Sequence, residues 1–331
     1  MIEHGSEVAK RSGRGWNWKE VATYAFFLVA LAGAAWAIVG RGSELTKALQ
    51  QLSILSLAGS FVAGLLGILA LYKSWLAAVT DGRVELPVRE GLRIYGVGQI
   101  GKYLPGSVWP VLTQAQLGRR LGISRLRMAS GALLALAVSV TAGLVLGCLL
   151  LPFSGGDAAR KLWWAPLAAI PLLLVLFPPF LNRTIAFAAR VLRRGEVDSA
   201  YTLAGIARCA GWATLGNLFF GLHIFCLVHS QGATSFRGYV LSVCAFSLAS
   251  SIGVIVIFAP AGAGIRETVL IVVLAPVLSV ASALAIALVS RSVLVLVDVV
   301  LAVSQTRGLS KSQTDRKPPV AAPQRSACHC T

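Results

Sequence analysis

Apolar runs of about twenty residues recur along this chain, the length an α-helix needs to cross the ~30 Å hydrocarbon core of a bilayer. They are Val21–Gly40, Leu52–Tyr72, Met128–Leu151, Leu162–Leu181, Ala210–Val228 and Tyr239–Ala259. A longer run, Thr268–Thr306, has room for two helices if the first is short, tilted or partly re-entrant. Backbone polar groups in hydrocarbon must be satisfied within the segment, which leaves helices as the natural solution. The spacing therefore predicts an all-α polytopic membrane protein with about eight transmembrane helices. Composition agrees: 56% of residues are hydrophobic and 13% charged, where a soluble domain would be about a quarter charged.

One apolar stretch does not behave as a span. Ile94–Thr113, IYGVGQIGKYLPGSVWPVLT, carries Gln99, Lys102 and Tyr103 at its centre, and Pro105, Gly106 and Pro110 break any helix through it. Freed backbone groups at membrane depth need protein or a water-lined cavity around them. The stretch is thus expected either to lie outside the bilayer or to line something inside it.

Charge decides between a crossing and a return. The formal net charge is +17, and 24 of the 30 Lys and Arg fall in segments that share one side if Ile94–Thr113 does not cross. Only Arg41, Lys47, Arg160, Lys161 and Arg237 fall on the other, and Arg291 sits within the last span. The positive-inside rule then predicts both termini in the cytoplasm and no full crossing by Ile94–Thr113, which its helix breakers make a re-entrant hairpin. Residues 1–19 form a basic N-terminus, 20–306 the membrane domain, and 307–331 a polar tail expected to be disordered. Residues 183–208 read as a basic amphipathic helix on the membrane surface. No nucleic-acid-binding pattern is present, and the basic surplus suits headgroups instead.

Small-residue stripes at Gly59, Ala63 and Gly67, and at Gly143 and Gly147, read as helix-packing faces. Gly96, Gly98 and Gly101 spell GxGxxG, but no βαβ context accompanies them, so no dinucleotide is expected. The four histidines show no ligand spacing, and the cysteines are scattered, so neither a metal site nor a disulfide framework is expected. His223, alone in an apolar run, reads as an interhelical hydrogen-bond partner. No cofactor is implied.

Charge at membrane depth is the remaining signal. Arg291 and Asp298 lie seven residues apart on one face of the last span, and Arg266 and Glu267 follow the break at Pro260, Gly262 and Gly264. Such charges pair, snorkel or line a polar path. Lys102 either faces water and headgroups or meets a lipid phosphate within the bilayer, with Tyr103 and Trp109 beside a sugar or glycerol moiety.

Two segments, Lys102-Tyr103-Leu104-Pro105-Gly106 and Pro260-Ala261-Gly262-Ala263-Gly264-Ile265-Arg266-Glu267, together resemble the transmembrane region of lysylphosphatidylglycerol synthases, the flippase-like domain family. The resemblance covers about residues 20–305. It implies translocation of an anionic phospholipid, glycolipid or lipid-linked envelope precursor between the leaflets of a bacterial cytoplasmic (inner) membrane. Best-known members also carry an aminoacyltransferase domain; here a short tail follows the last apolar run, so lipid lysinylation is not expected. On this reading Lys102 and Arg266 bind the headgroup, Glu267 orients Arg266, and Arg291–Asp298 supports the cavity wall. Interrupted segments at matching places in two halves also suggest a pseudo-repeat with the site between them. Expected partners are membrane lipids, envelope-biosynthesis proteins and a second copy of the chain. The alternatives are a polytopic glycosyltransferase or lipid-modifying enzyme, and a non-transporting scaffold.

Overall fold

The protein is described here by a computed structural model covering residues 42–81, 84–103, 109–154, 164, 167, 169–175, 177–180, 182–183, 201–255 and 264–314. The first expected span, most of the expected surface helix, Pro105, Gly106, Pro260 and Gly262 lie outside these residues. The described residues are helical, with no strand among them. The helices are α1 (Gly42–Gln50), α2 (Ile54–Thr80), α3 (Val88–Ile100), α4 (Trp109–Arg119), α5 (Arg125–Leu150), α6 (Ala169–Val175), α7 (Leu203–His229), α8 (Phe236–Ile255), α9 (Ile265–Leu274) and α10 (Val280–Thr314).

Five of them, α2, α5, α7, α8 and α10, are long and apolar enough to cross a membrane, α10 through Val280–Gln305. Their outward faces carry Leu66, Leu133, Leu149, Leu296 and Val303. A lipid solvent accounts for that exposed apolar surface. The region expected to be a single span at Leu162–Leu181 is instead interrupted among its described residues, with α6 only 7 residues long. Proline explains it: Pro171 is tolerated in the first turn of α6, and Pro178-Pro179 follow the bend at Phe177. The Thr268–Thr306 region resolves into the 10-residue α9 followed by one long helix. At 1.5 Å per residue α9 spans about 15 Å, half a bilayer.

The core forms where α7 packs against α2, α8 and α5. Both small-residue stripes serve these contacts. Gly59 and Gly67 of α2 face Cys226 and Phe220 of α7, and Gly143 and Gly147 of α5 face Ser251 and Leu248 of α8. His223 has the interhelical role expected of it. Its Nδ1 lies 2.8 Å from Ser60 Oγ and 2.9 Å from the Ser60 carbonyl, while Nε2 lies 2.8 Å from Ser290 Oγ. One imidazole thus joins α2, α7 and α10.

A polar knot holds the ends of α2, α5 and α7 together. Arg127, only 6% exposed, donates from Nε to the Val79 carbonyl at 2.9 Å and from Nη2 to the Thr80 carbonyl at 3.3 Å. It thereby satisfies carbonyls left open at the C-terminus of α2. Asp81, the left-handed residue after α2, accepts from the Thr202 backbone N–H at 3.0 Å and its hydroxyl at 2.8 Å, binding the start of α7. Tyr201 shares a 2.8 Å hydrogen bond with Ser130; burial raises its pKa, and that bond and the Arg127 charge oppose the rise.

The knot fixes the path of the Ile94–Thr113 stretch. Arg127 stands at the start of α5 and binds the end of α2, so the chain between them leaves and re-enters the bundle at one end. Within that excursion α3 and α4, of 13 and 11 residues, are each too short to cross and form two arms of a hairpin. The three glycines of GxGxxG are packing positions here. Gly96 lies against Leu301 and Gln305 of α10, and Gly98 lies against Gln114 of α4. A Cβ on Gly101 would come within 2.9 Å of the Pro110 backbone nitrogen, so only glycine lets the arms meet this closely.

Candidate functional site

The hairpin and α9 open onto one cavity of about 370 Å³. Its walls come from α2, α3, α4, α5, α7, α8, α9 and α10. Gln99, Lys102 and Gln114 reach it from the hairpin, Arg266 from α9, and Arg291 from α10. Asn217, Ser139, Ser250 and Ser251 add neutral polar groups, and Trp75, Tyr95, Phe220 and Phe246 supply large apolar faces.

Local chemistry explains how each cation is held. Lys102 sits in the 3₁₀ turn Gly101–Tyr103 that ends α3, where the helix yields to the break. Its Nζ lies 2.6 Å from Oδ2 of Asp298, and the two side chains are 37% and 1% exposed. The hairpin is pinned a second time by Trp75 Nε1, which donates to Gln114 Oε1 at 2.9 Å. Tyr95 packs between, with its ring 5.7 Å from Tyr72 and 5.6 Å from Trp75.

The second segment is organised by its helix cap. Gly264 adopts φ +85°, a left-handed conformation that favours glycine, and its N–H donates to Glu267 Oε2 at 2.7 Å. The other carboxylate oxygen, Oε1, accepts from Arg291 Nη1 at 2.6 Å. Arg266 stacks its guanidinium over Phe246, 4.6 Å from the ring centroid, and Phe246 stacks in turn on Phe220 at 4.6 Å. Such a cation–π contact strengthens as water is removed. Gly67 makes room for the Phe220 ring, so a packing stripe on α2 also shapes the cavity wall.

Two pairings differ from those expected. Arg291 binds Glu267 of α9, and Asp298 binds Lys102 of the hairpin; they do not serve as each other's ion pair in this arrangement. A seven-residue spacing puts them on one face of α10, but that face meets two different segments, and each charge finds its partner there. Glu267 likewise holds Arg291 and its own helix cap, while Arg266 rests on an aromatic ring. Of the other expected site residues, Gln99 lines the cavity, Gly264 caps α9, and Trp109 is 45% exposed and is not among the lining residues. Tyr103 ends the 3₁₀ turn. The lining residues Gln114, Asn217, Ser251 and Phe246 were not anticipated; their only sequence signal is polar or aromatic character inside apolar runs. Among the described residues no group of three His, Cys, Asp or Glu could hold a metal ion.

The arrangement suits an amphiphilic anion: cations for a headgroup, and apolar and aromatic walls for what is attached to it. The family model described as "Lysylphosphatidylglycerol synthase TM region" matches residues 23–302. No curated protein matches the chain.

Proposed function

The chain belongs to the lysylphosphatidylglycerol synthase transmembrane-region family, and from that premise we propose that it moves an anionic lipid between the leaflets of a membrane. The cargo class is an anionic phospholipid, a glycolipid or a lipid-linked envelope precursor. One observation carries the reading: Lys102, Arg266 and Arg291, from three separate elements, line a single cavity beside Trp75, Tyr95, Phe220 and Phe246.

Depth supports it. Arg291 falls near the middle of the apolar stretch Val280–Gln305 and Asp298 two turns further along, still inside it, so the cavity lies well inside the bundle. Charges there are costly unless they pair or serve a polar path, and both paired cations face the cavity. We take Lys102 and Arg266 to contact the headgroup and Arg291 to stand beside them, with Asp298 and Glu267 as supports. The hairpin and the half-length α9 are the elements that would move as the site changes leaflets. From the distribution of Lys and Arg we orient both termini toward the cytoplasm of a bacterial cell.

The test is reconstitution of the full chain in liposomes with fluorescent lipids and a quencher confined to the outer leaflet. Accelerated exchange of an anionic lipid is expected, lost in Lys102→Ala and Arg266→Ala variants that still fold. Unchanged exchange across phospholipids and a polyprenyl-linked sugar would sink the proposal. Product formed from a sugar donor would move the reading to a glycosyltransferase.

A further inference from the structure

One wall of the cavity carries neutral oxygens in place of charge. Ser139 of α5, Asn217 of α7, and Ser250 and Ser251 of α8 all line it. Three of these four donate to backbone carbonyls: Asn217 Nδ2 to Ala213 at 3.0 Å, Ser250 Oγ to Ser247 at 3.2 Å, and Ser251 Oγ to Val140 at 3.1 Å. Each serine is then left with lone pairs alone. A carbonyl can only accept, so the Asn217 amide is fixed with its nitrogen toward Ala213 and its oxygen turned away. That oxygen receives no hydrogen bond from a described residue, although Asn217 is only 4% exposed.

These oxygens gather over one point of α5. A Cβ on Gly143 would meet Ser251 Oγ, the Ser247 carbonyl oxygen at 3.1 Å and Asn217 Oδ1 at 3.4 Å. Ser139 lies one turn before Gly143 on the same face of α5. Ser247, one turn before Ser251 on α8, has a buried Oγ with no hydrogen-bond partner among the described residues. We propose that this wall is a binding site for a monovalent inorganic cation, sodium. Asn217 Oδ1 and Ser251 Oγ are its principal ligands, and Ser139 and Ser250 complete it from the cavity side.

The donor set selects the ion. Hydroxyl and amide oxygens suit a hard cation, and no sulfur or imidazole is present to draw a transition metal. Calcium and magnesium sites take much of their affinity from carboxylates, and none of these residues is one. A singly charged ion is what neutral oxygens can hold. Gly143 brings α5 and α8 close together, so the oxygens are near one another, which favours sodium over the larger potassium. The cationic side chains of the cavity enter from the hairpin, α9 and α10, whereas this wall belongs to α5, α7 and α8. Water donating to the same lone pairs is the competing occupant, and it brings no dependence on the identity of the salt.

The experiment melts the purified full chain in an uncharged detergent while sodium chloride replaces choline chloride at constant ionic strength. Potassium chloride, calcium chloride and methylammonium chloride are run beside it. A saturating rise in melting temperature with sodium is expected, as for any ligand that binds only the folded state, and little or none with the other salts. Asn217→Ala should weaken the apparent sodium affinity about tenfold, the factor that corresponds to ~1.4 kcal/mol. Ser139→Ala, at a residue that makes no hydrogen bond among the described residues, should weaken it by a smaller factor. Should Asn217→Ala fail to fold, Ser139→Ala carries the test by itself. Equal melting temperatures in all five salts leave water as the occupant and overturn the proposal. So does a sodium effect unmoved in the folded variants, or one surpassed by calcium or methylammonium. The melts read binding without lipid transport, so failure here leaves the translocator reading standing, and failure of that reading leaves the sodium site standing.

Discussion

The two Pro/Gly-broken segments reach the same cavity by opposite designs. In the first, a hairpin of two short helices brings a lysine in, and α10 supplies the carboxylate: Lys102 to Asp298 at 2.6 Å. In the second, a half-length helix brings a carboxylate, and α10 supplies the cation: Glu267 to Arg291, also at 2.6 Å. Helix α10 is therefore a common column with one acid and one base two turns apart, each assigned to a different broken segment. The burial differs as much as the sign. Asp298 is 1% exposed and Glu267 16%, so the first pair is anchored on a sequestered carboxylate and the second on a partly hydrated one. The hairpin should accordingly be the more tightly fastened of the two.

That contrast is broken most directly at Lys102. Lys102→Ala strips Asp298 of its ammonium partner in a place where the carboxylate cannot hydrate. A loss of about 3–5 kcal/mol in unfolding free energy is expected, by analogy with breaking other buried pairs. Denaturant unfolding in micelles would read it. Adding Asp298→Asn to Lys102→Ala should restore most of the stability while transport stays lost. A loss below ~1 kcal/mol in the single variant would remove the proposed asymmetry, since that is the value of an exposed pair.

At the second pair the expected effect is smaller. Arg291→Ala removes a charge-assisted hydrogen bond from a carboxylate that is partly hydrated and retains the Gly264 N–H as a donor. A loss of about 1.5–3 kcal/mol follows from the usual value of hydrogen bonds to charged groups. A cost equal to that at Lys102 would show that burial of the acid does not govern the difference.

The glycines of the hairpin sharpen the comparison at a third level. Gly101→Ala places a Cβ 2.9 Å from the Pro110 backbone nitrogen, and backbone cannot rotate aside as a side chain can. Overpacking of this kind costs about 1–3 kcal/mol. Gly96→Ala meets Leu301 only at 3.6 Å, an ordinary contact, and should be close to neutral. Thermal melts of the two variants side by side would check it, and equal destabilisation would argue against the close approach of the arms.

How much of this was legible beforehand depends on what each signal measures. Apolar run length located α2, α5, α7, α8 and α10, because a span is a local property of about twenty residues. Proline and glycine located both broken segments, again locally. His223 and the small-residue stripes were legible since a lone polar group or a gap in an apolar run has few uses. Partner choice was not legible. Periodicity says that Arg291 and Asp298 share a face, yet only the fold says that the face meets α9 at one level and the hairpin at another. Arg127 illustrates the same limit: as one arginine among several in a basic loop it counted toward topology, whereas the fold buries it against the end of α2. Asp81 also gave no signal, since its partner Thr202 lies 121 residues away.

The finest cut separates the two roles of Glu267. Its Oε2 closes the cap of α9 through the Gly264 N–H, and its Oε1 holds Arg291. Glutamine at this third helical position can still accept from the capping residue, whereas alanine cannot. Its amide nitrogen, however, then faces Arg291 as a second donor, so Glu267→Gln should lose that contact and cost about 1.5–3 kcal/mol, as Arg291→Ala does. Glu267→Ala should cost about 1 kcal/mol more, the usual worth of a helix cap. If the two variants melt together, the cap contributes nothing and α9 is held by Arg291 alone. If only alanine destabilises, the contact with Arg291 is dispensable for folding and the cap carries the effect.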